Sequence, residues 1–302
     1  MSSPLQRPRK YAIRSLWAAA IMAISVAPTI SQPANAAERG AYFYLDLGGS
    51  GSVGVQPTPT HPHGQPTDTG YANFFVAIEA SKGLNYQLTQ LGCPGETTAM
   101  ALYGGDRCYL ASESQLKAAT KFLSQNKGAY GVVTVDLGFN NVVHCLRHSS
   151  APPSCIHQGL NQVRRQLPVF LSTLQASAGP GVRFVGIGHY DPFLVSTMNV
   201  PAARSLWSID ALNQTLFDIY HAARIPMVNV GNAFSMSETT PTPTPGHTPV
   251  PTNAKMVCEL TWMCAPAPYG PNLHPNDRGY KVIAEAMAAK MPAPPLVTTP
   301  MG

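Results

Sequence analysis

The stretch Tyr42-Phe43-Tyr44-Leu45-Asp46-Leu47-Gly48-Gly49-Ser50-Gly51-Ser52 decides the fold. Its apolar part predicts a buried first β-strand, and the glycines that follow predict a tight turn where this strand ends. Glycine lets other backbone approach closely, so a serine among glycines can face a ligand. We therefore interpret Ser50 as a candidate nucleophile, which needs a base and donors for an oxyanion.

The same glycines, Gly49-x-Gly51-x-x-Gly54, match a dinucleotide-binding fingerprint. That motif requires a helix that starts inside the glycines and an acidic residue about 20 positions later. The chain continues instead as Gln56-Pro57-Thr58-Pro59-Thr60-His61-Pro62, in which the prolines prevent a helix. The context contradicts a nucleotide site, and the sequence predicts no cofactor.

Residues 1–36 have the pattern of a secretory signal peptide. Four basic residues lie between positions 7 and 14, residues 16–30 are largely apolar, and Ala34-Asn35-Ala36 is typical of a cleavage site. A membrane anchor is the alternative, but the apolar run is short and contains Pro28. We expect a secreted or extracytoplasmic protein with a single domain over residues 37–292 and a flexible tail over residues 293–302.

The charge of the exported part argues against a nucleic-acid or membrane-surface role. Residues 1–36 carry four of the 20 Lys and Arg residues and none of the 15 Asp and Glu residues, so their removal leaves a net charge of +1. No polybasic patch remains to bind nucleic acid or anionic lipid. We expect no nucleic-acid partner.

All six cysteines lie in the exported part, and none of them forms a C-x-x-C pair. An even number of cysteines in a secreted chain favours structural disulfides over a metal site. Six cysteines allow 15 connectivities. Proximity along the chain favours the pairs Cys93–Cys108, Cys145–Cys155 and Cys258–Cys264.

Predicted strands and helices alternate along the chain, which is typical of a parallel sheet covered on both faces. The strands are predicted at residues 42–47, 84–91, 130–137, 182–187 and 226–230. The main helices are predicted at residues 71–81, 112–125, 158–176, 205–223 and 275–290. Two segments rich in Pro and Thr are predicted as loops of this single domain: residues 56–68 as an exposed loop, and residues 239–252 as an excursion from the domain, with an interdomain linker as the alternative.

Metal-dependent chemistry has little support in the sequence. His61 and His63 lie among prolines in the first of these loops, where histidines are usually solvated rather than metal ligands. The chain has no H-E-x-x-H motif and no dense carboxylate cluster. We predict no metal site.

His274 is the candidate base for Ser50. A serine hydroxyl is a weak nucleophile at neutral pH, and histidine, which titrates near neutrality, is its usual activator. His274 is followed by Pro275, which we expect to be the first residue of a helix that holds the imidazole at a loop–helix junction.

The oxyanion hole is predicted from Ser50, Gly95 and Asn140. The backbone N–H groups of Ser50 and Gly95 and the side-chain amide of Asn140 can act as preorganised donors. All three residues follow predicted parallel strands or the adjoining loops. Because ligands bind beyond the C-terminal ends of such strands, we expect these donors to share one edge of the sheet.

Four short blocks in this order resemble those of the SGNH hydrolases, also called GDSL lipases and esterases. The blocks are Leu47-Gly48-Gly49-Ser50, Leu91-Gly92-Cys93-Pro94-Gly95, Gly138-Phe139-Asn140-Asn141 and Asn272-Leu273-His274-Pro275. The likeness runs roughly from Ala41 to Ala289, and His189-Tyr190-Asp191-Pro192 and Thr261-Trp262-Met263-Cys264 are similar to segments of secreted actinobacterial members. The resemblance implies a flavodoxin-like three-layer α/β/α sandwich around the five predicted parallel strands.

Three positions at which this family carries an aspartate hold neutral residues here. They are Gly49, Asn141, and Asn272 or Pro271 before the histidine. Asn272 is therefore the candidate third catalytic residue, while a backbone carbonyl, Asp191 or Glu259 are alternative partners for His274. Because a carboxylate stabilises the imidazolium that forms during catalysis, we expect low activity.

The resemblance implies an esterase or lipase that cleaves esters through an acyl-enzyme. The expected partner is an ester-containing small molecule or lipid, with cell-wall association as a further expectation and a monomer as the expected state. The alternative is a cell-wall, glycan or lipid binding protein whose hydrolase site has decayed at Gly49, Asn141 and Asn272.

Overall fold

The structure is a computed structural model of the chain and describes residues 42–105, 107–110, 112–147, 152–195, 201–244 and 247–291. These residues belong to one compact unit. The predicted signal peptide at residues 1–36 and the predicted tail at residues 293–302 lie outside the described residues.

A parallel sheet of five strands forms the centre of the protein, in the order β2-β1-β3-β4-β5. Its strands are β1 (Tyr42–Gly48), β2 (Tyr86–Gln90), β3 (Gly131–Asp136), β4 (Val182–Ile187) and β5 (Met227–Val228). β1 pairs with both β2 and β3, and Gly48 is in register with Asp136. The strand that carries the nucleophile turn is therefore an inner strand, next to the strand that precedes Asn140.

Helices cover both faces of the sheet. They are α1 (Tyr71–Ser81), α2 (Thr98–Tyr103), α3 (Gln115–Gln125), α4 (Phe139–Arg147), α5 (Pro153–Ser177), α6 (Ala202–Ala222), α7 (Val230–Ala233), α8 (Thr252–Leu260) and α9 (Asp277–Lys290). A short 3-10 helix spans Pro192–Leu194. The predicted three-layer α/β/α architecture is confirmed.

The two faces of β1 bury alternate residues in two separate cores. Phe43, Leu45 and Leu47 pack in the core that contains side chains of α3, α4, α5 and α6. Tyr42 and Tyr44 pack in the other core, with side chains of α1, α7 and α9. Side chains of a strand alternate between its faces, so an apolar run of this kind indicates burial on both sides.

The chain forms the disulfides Cys93–Cys108, Cys145–Cys155 and Cys258–Cys264, as predicted from proximity. The first two tie the loops after β2 and after α4, and the third ties the end of α8 to the segment that leads to His274. None of the helices in the described ranges is both long and apolar enough to span a membrane.

Three local predictions were wrong in detail. The segment 239–252 was predicted as an irregular loop, but it contains the antiparallel hairpin of β6 (Pro241–Thr244) and β7 (His247–Pro251). A two-stranded ribbon has only edge strands, and these accept proline because half of their N–H groups need no partner. The hairpin leads directly into α8, which the sequence analysis missed.

The other two differences concern helix starts near the predicted site. α9 begins at Asp277 and not at Pro275, because the Asn276 side chain accepts a hydrogen bond from Gly279 N at 3.0 Å and caps the helix. The segment Gly138–Asn141, which the sequence suggests is a loop after the strand, instead contains the start of α4: Gly138, two residues after β3 ends, has a φ of 112° and the helix begins at Phe139.

Candidate active site

The turn after β1 holds Ser50 at the C-terminal edge of the sheet. Val55 N donates to Ser50 O at 3.0 Å, and Ser52 Oγ donates to Gly49 O at 2.8 Å. Both hydrogen bonds lie within the turn and stabilise it. The Ser50 residue is half-buried. Ser50 thus lies directly after β1, and its role as nucleophile stays a prediction.

A cavity of about 60 Å³ opens beside this turn. Ser50, Asn140 and His274, which lie far apart in the sequence, all line it. The rest of its wall is mainly apolar and includes Phe139, Ile187, Val230 and Ile283. The structure therefore brings together the predicted nucleophile, the predicted base and one predicted oxyanion donor.

His274 is held by its backbone and by its ring. Its N–H donates to Asn272 Oδ1 at 3.0 Å, its carbonyl accepts from Trp262 N at 3.1 Å, and the adjacent Leu273 carbonyl accepts from the Tyr190 hydroxyl. The disulfide of Cys258 and Cys264 flanks Trp262. The imidazole is therefore fixed to the end of β4 and to the segment after α8.

Asn272 determines the protonation pattern of the His274 ring. The backbone N–H of His274 identifies the Asn272 atom it contacts as the oxygen, Oδ1, which lies 2.7 Å from His274 Nδ1. Since an amide oxygen only accepts, Nδ1 carries the proton and Nε2 has a free lone pair. Asn272 Nδ2 donates to His63 O at 3.2 Å and anchors this arrangement.

Burial keeps the His274 ring neutral. Burial, together with the smaller effect of the nearby positive charge of Arg147, lowers the pKa of His274 to about 4. At neutral pH the ring is therefore unprotonated at Nε2 and able to accept a proton. The partner of the ring, Asn272, is an uncharged amide and therefore does not stabilise the imidazolium as a carboxylate would.

Asn140 lies in the first turn of α4 and lines the cavity. Its Nδ2 donates to Glu96 O at 3.0 Å, which links it to the loop after β2. A side-chain amide nitrogen carries two N–H donors, and the Glu96 carbonyl uses one of them. The second N–H is the basis of the predicted role of Asn140 as an oxyanion donor, which stays a prediction.

Gly95 lies in the turn Cys93–Glu96, in which Glu96 N donates to Cys93 O at 3.1 Å. Its φ of 88° explains why glycine is needed there. The turn approaches Gly49, but Gly95 is exposed and is not part of the wall of the described cavity. Its role as an oxyanion donor stays a prediction.

Asp136 is a cavity residue that the sequence analysis missed. It ends β3, its side chain is 10% exposed, and it lines the cavity with Ser50. A Cβ placed on Gly51 would lie 2.4 Å from Asp136 Oδ2, so the carboxyl reaches over the backbone of the residue after Ser50. Burial raises the pKa of Asp136 to about 7.

His189 lies next to this carboxyl but does not form an ion pair with it at neutral pH. Its Nδ1 is 3.7 Å from Asp136 Oδ1. Burial lowers the pKa of His189 to about 4, although a hydrogen bond with the Leu137 backbone opposes this shift. The ring is therefore neutral where a salt bridge would need it charged.

The alternative partners considered for His274 are engaged elsewhere. Asp191 Oδ1 accepts from Phe193 N at 2.9 Å, and Glu259 lies 3.8 Å from Lys255 Nζ and 3.6 Å from an Arg278 nitrogen. Asn272 is the residue that contacts the ring.

Across the described ranges, one group of side chains has metal-ligand spacing: His144, Cys145 and Cys155. The two sulfurs are joined to each other in a disulfide, so they offer no thiolate to a metal.

Solved structures of lipases and esterases resemble this fold. An extracellular lipase from Streptomyces rimosus shares 15% identity with a TM-score of 0.54, covering 83% of this chain and 100% of the lipase. A phospholipase A1 from Streptomyces albidoflavus NA297 shares 15% identity over the same fractions with a TM-score of 0.56. A catalytic mutant of an acetylxylan esterase from Geobacillus stearothermophilus shares 13% identity with a TM-score of 0.52, covering 82% and 93% of the two chains.

The sequence profile of the GDSL-like lipase/acylhydrolase family matches residues 47–282. The chain belongs to this family. It is thus a carboxylic ester hydrolase by family, and the resemblance inferred from the four sequence blocks is confirmed. A search of curated protein sequences found no match.

Two of the family's missing aspartates have local structural explanations in this GDSL hydrolase. A Cβ on Gly49 would lie 2.8 Å from Asn140 Nδ2, so a side chain at position 49 would displace the amide. Asn141 is buried, and its Nδ2 donates to Thr98 Oγ1 at 2.9 Å and to Gln162 Oε1 at 3.2 Å. A carboxylate at position 141 could not make these donations.

Asp136→Asn is expected to stabilise the protein above pH 7. Burial raises the pKa of this carboxyl from 3.8 to about 7, so the folded chain keeps a proton that the unfolded chain releases, and stability falls as pH rises through this range. The gain in the free energy of unfolding should grow from near zero at pH 4 to roughly 2–4 kcal/mol at pH 8. Urea unfolding at both pH values measures it.

The control for this experiment is Asp68→Asn, which makes the same change at an exposed position. It should change the free energy of unfolding by less than about 0.5 kcal/mol at either pH. An Asp136→Asn gain that does not depend on pH would contradict the raised pKa of Asp136.

Gly49→Ala and Gly49→Asp are both expected to lower the rate of ester hydrolysis at least about tenfold, because either side chain moves the Asn140 amide from its bond with Glu96 O. Initial rates with p-nitrophenyl acetate provide the measurement. Gly128→Ala is the matched control, since a Cβ at position 128 meets open space. A Gly49→Asp chain faster than the wild type would show that the family's aspartate fits here.

Proposed function

We propose that this protein is an extracytoplasmic serine esterase that hydrolyses carboxylic esters through an acyl-enzyme on Ser50, with His274 as base and Asn272 as the residue that orients it. The observation that carries the proposal is that Ser50 and His274 line one cavity. The contact of Asn272 Oδ1 with Nδ1 of His274 keeps the proton on Nδ1 and leaves the lone pair on Nε2. A neutral imidazole in this tautomer is the form that can take the serine proton.

In the proposed reaction His274 Nε2 removes the Ser50 proton as Oγ attacks the ester carbonyl carbon. The oxyanion that forms accepts hydrogen bonds from the amide of Asn140 and from the backbone N–H groups of Ser50 and Gly95. The imidazolium then protonates the leaving alcohol. Water, deprotonated by His274, then attacks the acyl-enzyme; the bond to Ser50 Oγ breaks, the imidazolium returns the proton to Oγ, and the acid is released.

The electrostatics of the site favour slow turnover and activity in acid. Asn272 orients the ring but adds no charge, and burial and Arg147 both disfavour the imidazolium. The same low pKa keeps the base unprotonated well below pH 6. The narrow cavity of about 60 Å³, with apolar walls, suits a short acyl group.

The predicted location is supported by the cysteines. Three disulfides are consistent with an oxidising compartment, in agreement with the predicted signal peptide. Monomeric state, absence of nucleic-acid binding and cell-wall association stay predictions.

Ser50→Ala is expected to lower hydrolysis of p-nitrophenyl acetate and butyrate at least about a thousandfold, since the residual rate would come from binding and oxyanion donors alone. An alkyl fluorophosphonate should add one adduct to the wild type, located on Ser50 by peptide mass spectrometry. Ser172→Ala, at an exposed serine of α5, is the control and should keep the wild-type rate. Equal rates in wild type and Ser50→Ala would favour the non-catalytic binding protein instead.

Asn272→Asp is expected to raise kcat about tenfold and to shift the acidic limb of the plot of kcat/KM against pH to higher pH. In the wild type this limb follows the pKa of His274, which burial lowers to about 4. A carboxylate beside Nδ1 stabilises the imidazolium, so the pKa of His274 rises and the rate is lost at a higher pH than before.

A pH–rate profile from pH 3 to pH 8 measures both effects. Asn161→Asp makes the same change on the exposed face of α5 and should leave the profile unchanged. An unchanged acidic limb in Asn272→Asp would mean that His274 takes its orientation and charge partner from another group.

A further inference from the structure

The proposed mechanism leaves one polar group of the cavity unused. The Asp136 carboxyl lines the same cavity as Ser50 and is nine-tenths buried. Among the residues that the structure describes, none donates a hydrogen bond to it, and His189 Nδ1 lies 3.7 Å from its Oδ1. A buried carboxyl without a donor is unfavourable, so a ligand that supplies one would gain from binding here.

His189 is a second polar residue of the same wall. Its ring lies between Asp136 and Phe139, whose ring centroid is 5.3 Å away, and all three residues line the cavity. The backbone of His189 is fixed by two bonds of 2.8 Å to the Asn213 side chain. In the described part of the chain its Nε2 is buried and has no hydrogen-bond partner.

The two groups therefore need donors of the same kind. With Nδ1 protonated toward the Leu137 backbone, His189 Nε2 can only accept. Asp136 accepts when it is ionised and keeps acceptor capacity when it is protonated. Around them the wall is apolar, with Ile187, Val230 and Ile283. A purely alkyl substrate would leave the Asp136 carboxyl without a hydrogen-bond donor.

We propose that Asp136, with His189, is a specificity-determining site that binds a hydroxyl group carried by the substrate close to its scissile ester. The preferred substrates are then esters of hydroxylated acids or of polyols rather than plain alkyl esters. This inference rests on the proposed function, because it assigns the substrate class of the same cavity.

A hydroxyl fits this site better than a cation does. Burial raises the pKa of Asp136 to about 7, so the carboxyl carries only part of its charge at neutral pH and offers a weak counterion. His189 is neutral as well. A neutral donor can form a hydrogen bond with Asp136 in either protonation state. An ammonium group would lose its hydration on entering the cavity, and a partly protonated acid would compensate for that cost only in part.

The test compares isosteric esters that differ only by a hydroxyl. Ethyl 3-hydroxypropanoate against ethyl butanoate places the hydroxyl in the acyl part, and 2-hydroxyethyl acetate against propyl acetate places it in the alcohol. Acid release is followed in a pH-stat for the wild type, Asp136→Leu and Asp136→Asn. Asp218→Leu, at an exposed acid of α6, is the control.

We expect kcat/KM of the wild type to favour the hydroxylated member of at least one pair about tenfold or more. Asp136→Leu should bring that ratio to about one, and Asp136→Asn, which keeps an acceptor oxygen in the same shape, should retain part of it. Asp218→Leu should keep the wild-type ratio. Circular dichroism and thermal unfolding identify a variant that does not fold, in which case the ratio is read from Asp136→Asn.

Two results would overturn the inference: no hydroxyl preference of the wild type in either pair, or a preference that Asp136→Leu leaves unchanged. Binding of each pair to the Ser50→Ala chain by calorimetry gives a second readout that needs no turnover, and tighter binding of the hydroxylated member supports the inference. If Ser50→Ala still hydrolyses esters, the proposed nucleophile fails, while the ratio between wild type and Asp136→Leu still decides the role of Asp136.

Discussion

The close approach of the ends of β1 and β3 is the constraint on which the site depends. Gly49 N donates to Asp136 O at 3.1 Å, and Gly48 lies directly beside Asp136 in the sheet. A Cβ on Gly48 would be 2.3 Å from Asp136 O, so only glycine allows this contact. Because Ser50 follows one strand end and Asn140 follows the other, this single backbone contact brings the candidate nucleophile and its oxyanion donor to one cavity.

The distribution of charge around this cavity differs from the pattern implied by the family resemblance. The position that orients His274 holds an uncharged amide, while a carboxyl stands on the wall beside Ser50. Both imidazoles of the cavity, His189 and His274, have pKa values lowered by burial. The site at neutral pH thus combines neutral bases with one partly ionised acid. On our proposals, the uncharged amide beside His274 limits turnover, and the carboxyl of Asp136 selects the substrate.

Much of the architecture could be predicted because local and global signals agree. The apolar run of residues 42–47 and the other strand segments identified the parallel sheet, and the spacing of the cysteines identified their pairing. The hairpin over residues 241–251 could not be predicted, since proline-rich segments lack the period of a strand and pair through their backbone. The start of α9 was misplaced by two residues because Pro275 and Asn276 both favour a helix N-terminus, and the side chain of Asn276 makes the cap.

The sequence by itself predicted the fold and the disulfide pairing, and it identified Ser50, Asn140, Asn272 and His274 as candidate site residues, because each of them lies in a short motif whose chemistry can be read locally. The tertiary structure alone decided what surrounds them. From the sequence, Asp136 is one residue near the end of a predicted strand, and His189 lies two residues after another. Only the register of the sheet and the packing around it reveal that both are buried and line the same cavity. Burial and pairing are properties of contacts between distant segments, and no local pattern encodes them.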